Sequence, residues 1–314
     1  MRIIFMGTPE FAVPCLEALI EEKHEIIAVF TQPDKPKGRG NKITFPPIKE
    51  IALREEIPVF QPKTLKDTET LTAIKAMKPD IIVVVAYGQI LTKEILEVPP
   101  FGCINVHSSL LPKYRGAAPI NWVIINGEDR TGVTTMYMDI GLDTGDMILK
   151  EETPIGPEET AGELHNRLSG LGADILIKTI DLIEVGGVER EQQNEEEATY
   201  APIMNKELGQ INWSKTAIEI KNLIRGTIPW PGAFTSYNGR VMKIFSSRVE
   251  ETGVRYRPGE IIEVTKDEIH IGTSKDLLII KEIQFSGSKR MMVKDYLIGN
   301  EIIKGIIFGE DNDI

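Results

Sequence analysis

Residues 80–86 read Asp-Ile-Ile-Val-Val-Val-Ala, and a run so uniformly β-branched leaves the chain few ways to fold. A strand with one wet face alternates polar and apolar side chains; one that is apolar throughout must be covered on both faces. That requires a parallel sheet with helices on either side of it. The rest of the first half supplies them. Residues 3–6 form a buried strand pattern, and Phe11, Val13, Leu16, Leu19 and Ile20 follow Pro9 on a helical stripe. Residues 25–30 make a second strand, a helical pattern ends near Glu56, Val59-Phe60 begins a short edge strand, and 70–77 is again helical. Strands alternating with crossover helices predict an α/β, Rossmann-like domain. The turn after the first strand lacks Gly-x-Gly-x-x-Gly, so no dinucleotide site is expected.

The character of the chain changes towards its end. Thr160-x-x-Glu163 opens a long amphipathic helix through Leu164, Leu168, Leu171, Ile175, Ile180 and Ile183, stopped by Gly186-Gly187. A polar stretch, 188–207, reads as a linker. A helix over 215–225, capped by Ser214, then gives way to closely spaced strand patterns at 233–237, 241–245, 259–264, 268–272, 277–285 and 302–308. Asn238-Gly239 marks a tight turn. Many short strands predict a small OB-like β-barrel, an architecture that often binds nucleic acid. The expected domains are 1–187 and 208–314.

The 314 residues suffice for two cores, and 41% hydrophobic with 26% charged residues fits a globular protein. Cys15 and Cys103 lie in apolar stretches without metal-ligand spacing, as reduced core residues of a cytoplasmic protein would. No cleavable leader pattern opens the chain, and no apolar run reaches membrane-spanning length.

The chemistry concentrates at 101–146. In the strand pattern Cys103-Ile104-Asn105-Val106-His107, two polar side chains stand at i and i+2 and therefore share one face. An amide donor beside a group that exchanges protons near neutral pH suits attack on a carbonyl; it also suits a hydrogen-bonded pair in a strand end. Ser109-Leu110-Leu111-Pro112 follows, then Arg115-Gly116 and a helix over 117–126. Loops at the carboxyl ends of strands hold ligands in open α/β sheets, and exposed leucines there would suit a flat organic ligand or a hinge. Asp143, in Gly141-Leu142-Asp143-Thr144-Gly145, is either a turn former or a carboxylate that orients an imidazole or a water.

Together, Asn105-x-His107, the Ser109–Pro112 loop backed by Arg115-Gly116, and Leu142-Asp143-Thr144-Gly145 closely resemble the folate-dependent formyltransferases, and the likeness runs over nearly the whole chain. It implies Asn105, His107 and Asp143 as catalytic residues. It also implies a site for 10-formyltetrahydrofolate as co-substrate at Ser109, Leu110, Leu111, Pro112, Tyr87 and Gly88, with no metal. Two further segments resemble the members that formylate charged initiator tRNA on the methionyl α-amine. One is the basic loop after the second strand, with Lys35, Lys37, Arg39 and Lys42 within eight residues; in the resembled enzymes this loop meets the tRNA acceptor end, and Arg39 is the leading position. The other is the C-terminal barrel, with Lys206, Arg240, Lys243, Lys289 and Arg290, and beside them Arg248 and Lys294, as candidate phosphate contacts. No stable protein partner and no membrane are implied. An amino-sugar nucleotide formyltransferase, or a folate- or RNA-binding module without catalysis, are the rival readings.

Charge sharpens this expectation. The net charge is −11, yet residues 206–314 carry 16 Lys and Arg against 15 Asp and Glu. The acidity sits almost wholly in 1–205, so a polyanion must be met by local patches.

Overall fold

The computed structural model describes residues 1–37 and 42–309. The apolar run 81–85 is strand β6 (Ile81–Val85), buried at all five positions, and it occupies the middle of a seven-stranded sheet. Its companions are β1 (Arg2–Gly7), β2 (Glu25–Phe30), β5 (Val59–Phe60), β7 (Cys103–His107), β9 (Arg130–Tyr137) and β10 (Met147–Pro154). The order across the sheet is β10-β9-β7-β6-β1-β2-β5. The five strands from β5 to β7 run parallel, whereas β9 and β10 are antiparallel additions at one edge. Helices α1 (Val13–Glu21), α2 (Pro47–Arg54), α3 (Thr68–Met77) and α4 (Lys93–Leu96) are the crossovers. The turn after β1 is tight for packing reasons. A Cβ on Gly7 would stand 2.7 Å from the Phe5 ring and 3.1 Å from the Val85 carbonyl oxygen.

The basic segment departs from the expected open loop. Its flanks form a hairpin, β3 (Lys35–Lys37) against β4 (Lys42–Thr44), while Arg39 lies outside the described residues. Just before it, Lys49 Nζ holds both oxygens of Asp34, at 2.9 and 2.7 Å, and Gln61 Oε1 at 2.8 Å.

The helix after the 108–116 loop is shorter than the pattern suggested: α5 spans Pro119–Ile125. The long helix α6 (Ala161–Glu184) begins at the expected capping box, Glu163 Oε2 accepting from the Thr160 amide at 2.8 Å. The next cap falls elsewhere. Helix α7 (Ala217–Gly226) is capped by Thr216 with Glu219, because the Ser214 hydroxyl is committed to Asn212 Oδ1.

The chain divides into two compact units, Met1–Pro119 with Arg130–Pro154 and His165–Ala201, and Ile120–Asp129 with Ile155–Leu164 and Pro202–Ile314. The stretch read as a linker is thus shared, and residues 188–201 pack within the first unit. In the second, β12 (Ala233–Tyr237), β13 (Arg240–Glu250), β14 (Ile261–Val264), β15 (Ile269–Gly272), β16 (Leu277–Phe285) and β17 (Met291–Met292) form an antiparallel sheet. Its order is β12-β13-β16-β15-β14, with β17 on β16. The strand expected over 302–308 does not form. Gly305 and Gly309 take left-handed conformations there, yet the segment still bonds to two strand edges. Phe308 N donates to Gly259 O before β14, and Gly309 N donates to Ser236 O in β12. An irregular segment, rather than a ladder, bridges the ends of the sheet over a core that holds Trp213, Ile244, Ile280 and Phe308. Among the described residues no helix is long and apolar enough to cross a membrane.

Candidate active site

Strand β7 is sandwiched between β6 and β9, with Val84 opposite Asn105 on one side and Thr134 opposite His107 on the other. Both polar side chains reach the carboxyl end of the parallel strands on one face, as their spacing requires. His107 is buried, and its Nε2 lies 3.0 Å from the carbonyl oxygen of Tyr114. A carbonyl can only accept, so Nε2 carries the proton and Nδ1 is the nitrogen that faces the site. That nitrogen stands 3.7 Å from Asp143 Oδ2, while Asn105 Nδ2 stands 3.5 Å from Asp143 Oδ1. Asp143 therefore joins the pair across 38 residues of sequence.

Backbone geometry makes that convergence possible. Asp143 has φ +55°, a left-handed backbone, and its carboxylate reaches out of its loop to other elements. Oδ2 accepts the Gly116 amide at 2.8 Å. Gly116 is itself constrained: its φ is +114°, and a Cβ would lie 2.9 Å from the Ala201 carbonyl oxygen. Only glycine brings this amide to the carboxylate while strand β8 (Arg115–Gly116) pairs with β11 (Tyr200–Ala201).

The loop between His107 and Arg115 is fixed from inside. Thr134 Oγ1 donates to Ser109 O at 2.7 Å and accepts from Leu111 N at 3.2 Å, and Ser109 Oγ donates to Lys113 O. Ser109 is thereby spent on loop structure. Leu111 corrects the expectation of exposed leucines: it is 2% exposed and packs with Met136 and Met147. The exposed apolar side chains are instead Ile140 and Leu142, beside Asp143, at 78% and 57%. Their signal was two aliphatic residues inside a glycine-rich turn.

At the neighbouring end of β6, Ala86 and Gly88 both take positive φ. The Tyr87 carbonyl accepts from Thr8 Oγ1 at 2.9 Å and Gln32 Nε2 at 3.3 Å, fastening the ends of three strands. The Tyr87 side chain is buried, its hydroxyl has no hydrogen-bond partner among the described residues, and burial pushes the phenol up to about 12. Cys15 and Cys103 are free and buried, and burial raises both thiols to about 12.

The profile of the formyl transferase family matches residues 1–180, and that of the formyl transferase C-terminal domain matches 203–301. The methionyl-tRNA formyltransferase of Alkaliphilus oremlandii is 66% identical, over 99% of this chain and all of that protein. That of Clostridioides difficile is 57% identical over 98% and 100%. The chain belongs to the methionyl-tRNA formyltransferase family. Among solved structures, the N-formyltransferase of Helicobacter canadensis, in complex with folinic acid and dTDP-3-aminofucose, superimposes with a TM-score of 0.68 at 22% identity, over 93% of this chain and all of that one. HypX of Aquifex aeolicus, in complex with tetrahydrofolic acid, gives 0.63 at 18%, over 95% of this chain and 47% of that one. At these identities the two structures share the fold.

The basic residues expected to meet tRNA are differently placed. Lys243 donates to the Pro231 carbonyl at 2.8 Å, and Arg290 grips both oxygens of Glu282 while lying over the Phe245 ring. Arg248 pairs with Glu268 and Glu250. Arg240 lies over Phe285 and, with Lys289, Tyr296 and Asn300, lines a cavity of about 130 Å³. Lys35, Lys206 and Lys294 are exposed. Sequence reasoning missed Thr134, Gln193, Glu195 and Thr199, which bond from afar to the loops that carry Ser109, Tyr114, Arg115 and Asp143.

Proposed function

We propose that the chain transfers the formyl group of 10-formyltetrahydrofolate to the α-amino group of methionyl initiator tRNA, the formylation that precedes translation initiation, in the cytoplasm. The carrying observation is the meeting of Asn105, His107 and Asp143 at one point. It occurs in a chain 52–66% identical, over nearly its full length, to proteins named for this reaction. Acyl transfer to an amine needs a donor for the oxygen that gains charge, and a route for the amine's proton. Asn105 Nδ2 provides the first. His107, anchored through Nε2, presents Nδ1 as the second. Once Nδ1 has taken that proton it can donate to Asp143 Oδ2, across a 3.7 Å separation that a small shift or one water closes.

The residues present fit a folate. Among the described residues, a buried Tyr87 hydroxyl without a partner, a glycine beside it with only Gln32 Nε2 near its missing Cβ, and exposed Ile140 and Leu142 offer a polar anchor and apolar cover. When bound, the folate supplies the activated formyl carbon. Tyr87, Gly88 and the backbone of 109–112 would hold it.

The test is formyl transfer from 10-formyltetrahydrofolate to charged initiator tRNA, run beside free methionine and an amino-sugar nucleotide. Transfer confined to the tRNA is the expected result. Preference for the sugar nucleotide, the rival reading, would overturn the proposal.

A further inference from the structure

Residues 193–201 run over the loops of Tyr114 and Asp143 as a largely exposed strap, and the side-chain bonds of Gln193, Glu195 and Thr199 end on residues that set the position of His107 or Asp143. Gln193 Nε2 donates to two carbonyls of the Asp143 loop, Asp143 O at 2.7 Å and Gly145 O at 2.8 Å. Gln193 Oε1 accepts from Arg115 Nε at 2.9 Å. The Arg115 side chain is fully buried, and its two terminal nitrogens fork onto Glu195, at 2.9 and 2.8 Å. The residue after Arg115 supplies the amide that Asp143 Oδ2 accepts. At the other end, Thr199 Oγ1 accepts the Tyr114 amide at 2.9 Å and Thr199 O accepts the Arg115 amide at 2.8 Å. Tyr114, at φ +61°, carries the carbonyl that anchors His107 Nε2.

We infer that Gln193 and Thr199 are positioning residues for the transfer reaction: Gln193 fixes Asp143, Thr199 fixes the Tyr114 carbonyl that holds His107, and the Arg115–Glu195 fork ties the two together. The physical case is one of bond count. Asp143 and Tyr114 both occupy left-handed backbone conformations that a side chain other than glycine adopts at a cost. Such conformations persist when surrounding bonds over-determine them, and here the strap supplies those bonds. Neither Gln193 nor Thr199 is part of the Asn105, His107 and Asp143 cluster, so both act through others. A misplacement of about 1 Å at a reacting group costs on the order of 10²-fold in rate, which is the scale at stake.

The inference rests on the formyl transfer proposed above, and its test separates the two. Gln193→Glu is nearly isosteric and keeps the acceptor for Arg115, but it removes the N–H groups aimed at the two carbonyls. Thr199→Val removes the acceptor for Tyr114, and Thr199→Ser restores it. Gln193 is only half-buried and Thr199 exposed, so these substitutions leave the core untouched. With the full chain, folate donor and charged tRNA, Gln193→Glu and Thr199→Val should each lower kcat about 10- to 100-fold. KM for both substrates should stay within about 2-fold and the melting temperature should hold. Thr199→Ser should recover most of the kcat lost in Thr199→Val. An unaltered kcat in either variant, a KM that rises in step with the loss, or a loss that tracks unfolding overturns the positioning roles. Absence of transfer by the unsubstituted chain overturns the functional reading instead.

Discussion

Asp143 does three jobs with one residue. Its Oδ2 takes the Gly116 amide and faces His107 Nδ1, its Oδ1 faces Asn105, and its own carbonyl is held by Gln193. Replacing it by asparagine keeps the shape but removes the charge and half of the acceptor capacity. Asp143→Asn should therefore lower kcat, by about 10²–10³-fold, with little change in melting temperature. Asn105→Ala and His107→Ala should fall in the same range, the scale of losing one oxyanion donor. Steady-state kinetics beside thermal unfolding checks all three; near-normal turnover in any of them contradicts its role. Leu111 belongs to a different class. Because it is buried against Met136 and Met147, Leu111→Asp places a carboxylate in apolar surroundings and should cost more than about 3 kcal/mol in stability. Denaturant unfolding at wild-type stability would contradict this. The contrast shows what sequence makes legible. Asn105 and His107 are visible as a pair because strand periodicity alone puts them on one face. The inward turn of Leu111 depends on Thr134, a partner 23 residues away, and no local pattern announces it. For Asp143 the residues alone leave turn former and orienting carboxylate both open and the resemblance favours the second, since its approach depends on a left-handed backbone and on Gly116.

Elements repeat the lesson. Strand β6 was plain from its composition, because continuous β-branched burial has one common solution. The strap at 188–201 was not: Gln192–Glu197 is as polar as any linker, and what makes it structural is one buried arginine 80 residues back. The 302–308 segment failed as a strand for a third reason. Ile302, Ile307 and Phe308 are buried as a strand's inner face would be, but the glycines at 305 and 309 turn its backbone out of register. The hairpin β3–β4 carries a testable consequence of charge. At its root, Asp34 is held below the usual carboxylate range by hydrogen bonds from Lys49 and then Gln61, with the Lys49 charge adding to them against partial burial. A carboxyl whose folded value is depressed contributes stability that is complete above the unfolded value, about 3.9, and is lost as pH falls through the folded one. Asp34→Asn should thus lower the melting temperature at neutral pH, and the gap to wild type should close on acidification towards about pH 3. A gap that is constant with pH would show that the ion pair with Lys49 contributes nothing.

At the scale of the whole molecule, the difficulty is how a chain of net charge −11 takes a polyanionic substrate. Residues 206–314 are nearly neutral, and several of their cations are already committed: Lys243 to Pro231, Arg248 to Glu268, Arg290 to Glu282. A cation held by a carboxylate has little left for a phosphate, because binding would have to break the existing pair. Of the candidate contacts that leaves Lys206, Arg240, Lys289 and Lys294 here, and the cations of 35–42 in the acidic stretch, where Arg39 stands between two glycines. An arginine at the acceptor end of a tRNA meets both phosphates and unstacked bases, and its planar fork can pair with the first and stack on the second. Arg39→Ala should therefore raise KM or lower kcat for charged tRNA while folate binding is unchanged. The log–log salt dependence of tRNA binding should become shallower by about one, the signature of one lost phosphate contact. Arg39→Lys should recover the salt slope but not the full activity, since a point charge replaces the fork. Lys243→Ala supplies the contrast: it leaves the Pro231 carbonyl without its donor and should weaken the fold, while the salt slope stays as it was. Equal slopes for Arg39→Ala and wild type would remove Arg39 from the tRNA contacts, and a shallower slope in Lys243→Ala would mean that a committed cation carries one.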